Sequence, residues 1–257
     1  MGQYGKHGPL VIPRALISAF AALSLISAGA AQASCRLALV LALDVSASVD
    51  ADDYDLQRLG LAAALDAPDV RHAILEGVNG YVALAVFEWS GRFQQKTHLE
   101  WTPLRNHGDI DRAVVTLGAM TRSRNDMPTA VGQALGYGAT LLRHAPHCDR
   151  QVIDISGDGI NNEGYRPVHA YRHFPLRDVV VNGLVILGDD PEVMAFYSGE
   201  VLHGPGAFLE VADGFDGFQA AMTRKLYREI NNIMIGGLNP AQGIDSPPPR
   251  LTSRPRG

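Results

Sequence analysis

The sequence predicts an α/β fold on a mainly parallel sheet, and three observations predict it. Apolar runs of strand length recur, unbroken at Leu37–Leu43 and Tyr81–Phe87 and around Asn182 at Val179–Leu187, as in strands buried on both faces. Segments of helical period separate them, so strand and helix alternate along the chain. The first run leads straight into Asp44-Val-Ser46-Ala-Ser48. That puts one carboxylate and two hydroxyls at the carboxyl end of a parallel strand, where open α/β sheets bind their ligands.

Ahead of that strand, residues 1–33 read as an export leader. Lys6 and Arg14 form a basic stretch, Ala15 to Ala30 is apolar, and Ala31-Gln32-Ala33 has the small-x-small form of a signal-peptidase site. The apolar core is short for a membrane span, and an uncleaved anchor is the alternative reading. Lipidation at Cys35 would want Leu or a similar residue at position 32. The expectation is an exported protein, periplasmic or secreted after cleavage near Ala33, with one domain over residues 34–236.

Asp50 to Leu65 is amphipathic, and Asp52, Asp53 and Asp55 sit at the positive end of the expected helix. Pro68 interrupts it, and Val70 to Glu76 resumes as helix. After the strand Tyr81–Phe87, Glu88-Trp-Ser-Gly91 turns the chain, and Arg92 to Trp101 alternates weakly enough for an antiparallel edge strand. Asn106 to Met120 is helical. Pro128 and Thr129 open a helix from Ala130 to His144, whose glycines 132, 136 and 138 imply close packing on the sheet. Arg150 to Ser156 is a strand ending in Gly157-Asp158-Gly159. Val168 to Phe174 is a short helix, and Asn182-Gly183 within Val179–Leu187 suggests a bulge. Pro191 to Ser198 is helical, Ala207 to Val211 a last strand, and Phe215 to Ile235 the last helix. Five prolines after Leu238 make residues 237–257 a tail without fixed structure.

A formal net charge of −5, more acidic once Lys6 and Arg14 are removed, and 7 % aromatic residues argue against a nucleic-acid partner. Dinucleotide, phosphate-loop and Gly-x-Ser-x-Gly motifs are absent. His169 and His173 share a helical spacing but have no glutamate base between them and read as surface residues. Asp50, Asp52, Asp53 and Asp55 lack calcium-loop spacing and read as helix N-terminal charge. Trp89 and Trp101 read as core.

Asp44, Ser46 and Ser48 are joined by Thr129 in Thr129-Ala-Val-Gly-Gln-Ala134-Leu135 and by Asp158 before Gly159. Together these five positions resemble the metal-ion-dependent adhesion site of von Willebrand factor A-type domains, and the likeness runs from about Leu37 to Ile235. It implies a three-layer, doubly wound Rossmann-like sheet with one antiparallel edge strand. It further implies one divalent ion, magnesium first, with manganese or calcium as alternatives. Ser46, Ser48 and Thr129 would hold the ion directly, while Asp44 and Asp158 would act mostly through waters. The exported single-domain layout with its cysteine pair also resembles a group of bacterial secreted proteins built on a domain of unknown function. Two positions depart from the family pattern: Met127-Pro128 replaces the usual Gly-Gly, and Asp154 stands mid-strand where the family is apolar.

Neutral hydroxyls around a divalent ion leave its charge under-neutralised, so the open position should attract a partner's carboxylate. The expected function is therefore a metal-dependent binding module that captures an exposed Asp or Glu of a partner protein, as a monomer and not an enzyme. The alternative is a hydrolase using the same ion to activate water, with Glu88 or Asp126 as base. In the A-type fold the strands leading to Asp44 and Asp158 are neighbours. Counting back from both puts Cys35 and Cys148 at the far edge of the sheet, within reach of a disulfide.

Overall fold

The structure is a computed structural model that describes residues 1, 2, 5, 34–76, 80–188 and 190–231. Apart from Met1, Gly2 and Gly5, the expected leader lies outside the described residues, as does all of the expected tail.

Among the described residues six strands form one sheet in the order β3-β2-β1-β4-β5-β6. They are β1 (Cys35–Asp44), β2 (Tyr81–Trp89), β3 (Gln95–Leu104), β4 (Gln151–Gly157), β5 (Val180–Ile186) and β6 (Leu209–Ala212). Every pair is parallel except β2 with β3, the antiparallel edge. The first strand in sequence is thus central, and all ten of its residues are buried. Leu37, Leu39, Leu41 and Leu43 face α1 (Ala51–Asp66), α2 (Pro68–Glu76), α3 (His107–Gly118) and α7 (Phe218–Ile230). Ala38, Val40 and Ala42 face α4 (Val131–Leu142), α5 (Pro167–His173), α6 (Val193–Phe196) and a single π-helical turn, Tyr197–Val201. This is the three-layer architecture the sequence implies. Each buried leucine contributes roughly 1.5–3 kcal/mol, which makes β1 the strand the domain is least able to lose.

The start of α1 is closed from within. Asp50 accepts from Asp53 N at 2.9 Å while Asp53 reaches back to Asp50 N at 3.3 Å, a capping box worth about 1 kcal/mol. Among the described residues no three His, Cys, Asp or Glu side chains gather around a metal-sized space. The buried Arg36 donates to Ala73 O and Ile230 O at 2.7 Å each, satisfying carbonyls at the ends of α2 and α7.

Several expectations need correcting. The edge strand starts at Gln95, since Arg92 to Gln94 complete the turn, and Pro103 is tolerated because β3 has a free edge. No bulge occurs at Asn182-Gly183, because β4 and β5 stay in register through Asp154↔Asn182 and Ile155↔Gly183. Gly183 serves close packing instead: a Cβ there would stand 2.7 Å from Leu209 Cδ1 and 2.9 Å from Tyr197 Cδ1. Of the α4 glycines only Gly138 meets the sheet, at Ile153. Gly132 and Gly136 make room for Tyr165 and Phe174. Trp89 is fully buried, whereas Trp101 is half-buried and donates to Leu141 O at 3.0 Å. His169 and His173 are exposed and stacked on each other.

Cys35 and Cys148 form a disulfide at the amino end of β1, with Cα atoms 4.4 Å apart. Asp44 and Asp158 lie at the opposite end of the sheet, where β1 and β4 finish.

Candidate metal centre

Three loops converge at that carboxyl end. Asp44 closes β1 and is buried; its Oδ1 accepts from Ser46 N at 2.8 Å, and Gln57 Nε2 holds its carbonyl at 2.9 Å. The turn this creates sets Ser46 Oγ 3.3 Å from Ser48 Oγ, and Ser48 Oγ donates to Asp158 Oδ1 at 2.9 Å. One continuous chain of oxygens therefore links the β1 loop to the β4 loop. Thr129 enters from a third side, just ahead of α4. Its N–H is taken by Asn162 Oδ1 at 2.8 Å, and its hydroxyl lies 3.7 Å from where a Cβ on Gly159 would stand. Ser48, Thr129 and Asp158 line a cavity of about 400 Å³, with Asp53, Met127, Pro128 and Asp190 around them. Asp44 and Ser46 lie beneath it, each 1 % exposed.

The electrostatics of this cluster call for a cation. Burial first, and then the Asp158 carboxylate, push Asp44 up to about 8, against the opposing pull of Ser46 and Arg122. Asp158 is raised as well, by burial and then by Asp53 and Asp190. The second oxygen of Asp44 is buried and has no hydrogen-bond partner. An all-oxygen set of hydroxyls and two carboxylates fits a hard divalent ion, and the orphaned Asp44 oxygen fits the outer-shell role the motif implies for that residue.

The bases considered for a hydrolase are not at the cavity. Glu88 is fully buried, accepting from Tyr54 Oη at 2.5 Å and Ser123 N at 3.0 Å, with His98 Nε2 3.0 Å away. Burial would raise its pKa, but His98, Tyr54 and Ser123 outweigh that and hold the carboxyl below its usual range. Asp126 is exposed and does not line the cavity. Of the carboxylates that do, Asp53 is engaged in the capping box and Asp190 accepts from Ile160 N and Glu192 N.

With this geometry in view, comparison with known proteins gives one family match, over residues 34–234, to a family described as protein of unknown function (DUF1194). The chain belongs to the DUF1194 family. No curated protein sequence matches it. Solved structures with the same fold include proximal thread matrix protein 1 from the mussel byssus, described with a zinc-occupied MIDAS motif. It is 15 % identical with a TM-score of 0.58, over 78 % of this chain and 49 % of that one. A von Willebrand factor type A protein from Catenulispora acidiphila is 14 % identical with a TM-score of 0.52, over 77 % of this chain and 42 % of the other. The pilus adhesin SpaC from Lactobacillus rhamnosus GG is 15 % identical with a TM-score of 0.56, over 78 % and 32 %. The chain thus spans about half the length of the mussel protein and a third of the adhesin. These likenesses show the fold: the DUF1194 chain has the fold of von Willebrand factor A-type domains.

In this DUF1194 domain the supporting residues come from places that sequence reasoning missed. Arg122 donates to Val45 O at 3.1 Å and Ser46 O at 2.9 Å, fastening the β1 loop from the segment that carries Thr129. Met127, in the Met-Pro departure, accepts from Ala47 N at 2.8 Å, so that departure ties the same two loops together. Asn161 and Asn162 cap the start of α4 from outside, on Gly132 N and Thr129 N. A pair of asparagines soon after Asp158-Gly159 was the available signal.

Proposed function

We propose that this DUF1194 domain is a metal-dependent binding module acting outside the cytoplasm, in the periplasm or beyond the cell. One magnesium ion is held directly by Ser46, Ser48 and Thr129 and through waters by Asp44 and Asp158. Its open position takes an aspartate or glutamate of a partner protein. The observation that carries this reading is the hydrogen-bonded chain Ser46–Ser48–Asp158 at the cavity, beside a buried Asp44 carboxylate whose second oxygen has no hydrogen-bond partner. The zinc-occupied MIDAS motif of the mussel matrix protein and the adhesin of the same fold support it. A site rich in neutral hydroxyls leaves the ion electrophilic toward an incoming carboxylate.

Calorimetry on chelator-stripped protein tests the metal. Magnesium should bind the wild type, and Asp44→Ala and Asp158→Ala should each lose at least tenfold in affinity. Capture of an exported partner should need the metal and should vanish in the Ser46→Ala/Ser48→Ala double variant with circular dichroism unchanged. Capture at full strength in chelator would place the binding surface elsewhere.

A further inference from the structure

Two buried oxygens near the metal centre have no hydrogen-bond partner, and they face one point. One is Asp44 Oδ2 and the other is the Tyr197 hydroxyl. A Cβ built on Gly157 would lie 2.8 Å from the first and 2.6 Å from the second. The two oxygens therefore flank the open side of Gly157, the last residue of β4 before Asp158. Tyr197 is fully buried, and it begins the π-helical turn Tyr197–Val201, a backbone form frequent at functional sites.

The hydroxyl calls for an explanation that packing does not supply. The Tyr197 ring fills apolar space against Gly183 and among Val193, Val201 and Phe196, which a phenylalanine would fill equally well. Burying a hydroxyl without a partner costs free energy. A phenol carries one proton to donate, and the oxygen it faces belongs to a carboxylate.

We propose that Tyr197 is a positioning residue of the metal centre, its phenol turning to donate to Asp44 Oδ2 once the ion is bound. The proposal rests on the metal reading above. With Oδ1 held by Ser46 N and Oδ2 by Tyr197 in that bound state, each oxygen of Asp44 has a protein donor. Asp44 then steadies the ion's waters and does not swing in as a direct ligand, which keeps neutral hydroxyls in the inner shell. Gly157 is required in turn, because any side chain there would stand between the two oxygens.

The test uses the full chain, stripped with chelator, and magnesium as the probe. Tyr197→Phe keeps the ring and removes the oxygen. It should melt within a few degrees of wild type without metal, yet bind magnesium about tenfold more weakly by calorimetry, as loss of an outer-shell partner does. Its magnesium-induced rise in melting temperature should shrink in step. Tyr171→Phe is the control, since that hydroxyl donates to Val201 O at the other end of the same π turn. It should lower the melting temperature equally with and without magnesium and leave affinity unchanged. Tyr197→Phe binding magnesium within twofold of wild type, or behaving like Tyr171→Phe, overturns the positioning role alone. A wild type that does not respond to magnesium overturns the metal reading and this proposal together.

Discussion

At the scale of single residues, Asp154 is a costly feature of the fold. It sits mid-strand in β4 and is 1 % exposed, with Lys225 Nζ 3.1 Å away. The same ammonium is 2.9 Å from Glu229 Oε1, which also accepts from Asn182 Nδ2 at 2.7 Å. Two carboxylates thus share one buried cation. Burial first, and then Glu229, push Asp154 up to about 8 from 3.8, against the pull of Lys225. The folded chain therefore keeps a proton that the unfolded chain has released. Stability from this group is complete below about pH 4 and is lost as pH climbs through about 8. In urea titrations at pH 5 and pH 8, Asp154→Asn should gain on wild type as pH rises. An equal gap at both values would show that Asp154 does not titrate in this window. The sequence marks Asp154 as an anomaly but hides its partner. Lys225 is on α7, and no local spacing connects a mid-strand acid to a lysine on the last helix. The same limit applies to Arg122 and Tyr197, whose contacts are set by tertiary packing.

At the scale of elements, the segment between α3 and α4 does more than deliver Thr129. Arg122 fastens it to the Val45 and Ser46 carbonyls, Met127 O receives Ala47 N, and Glu88 holds Ser123 N from within the sheet. Arg122→Ala should cost about 1–3 kcal/mol in denaturant melts and weaken magnesium binding several-fold, although Arg122 is no ligand. Unchanged affinity would mean that the β1 loop keeps its shape without the clamp. Element boundaries were legible where burial dictated the pattern and less so where it did not. The unbroken apolar run made β1 plain, and Pro128-Thr129 marked the approach to α4. The weak alternation around Arg92–Trp101 misplaced the edge strand by three residues. Asn182-Gly183 looked like a bulge because that pair favours irregular backbone, whereas Gly183 is small so that Leu209 and Tyr197 can approach.

At the scale of the whole molecule, the sheet has one covalent end and one coordinating end. The disulfide spans 113 positions, a closure worth about 4–5 kcal/mol by chain entropy. Cys35→Ser/Cys148→Ser should lose stability of that order in denaturant melts while magnesium affinity stays within twofold. A tenfold loss of affinity would mean that the two ends of the sheet communicate. The fold class was readable because β1, β2 and β5 must be buried on both faces, and the candidate site was legible only as five oxygen-bearing residues that the fold brings to three loops at one edge. The central position of β1 has a consequence for biogenesis. The first strand to be made is the one that needs neighbours on both sides, and β4 is finished only more than a hundred residues later. Until then Cys35 is a lone thiol. With two cysteines in the sequence, though, a single intrachain pairing exists. Oxidative refolding therefore has no scrambled isomers to sort. An oxidant should raise the yield of native protein, and a disulfide shuffling catalyst should add nothing to it.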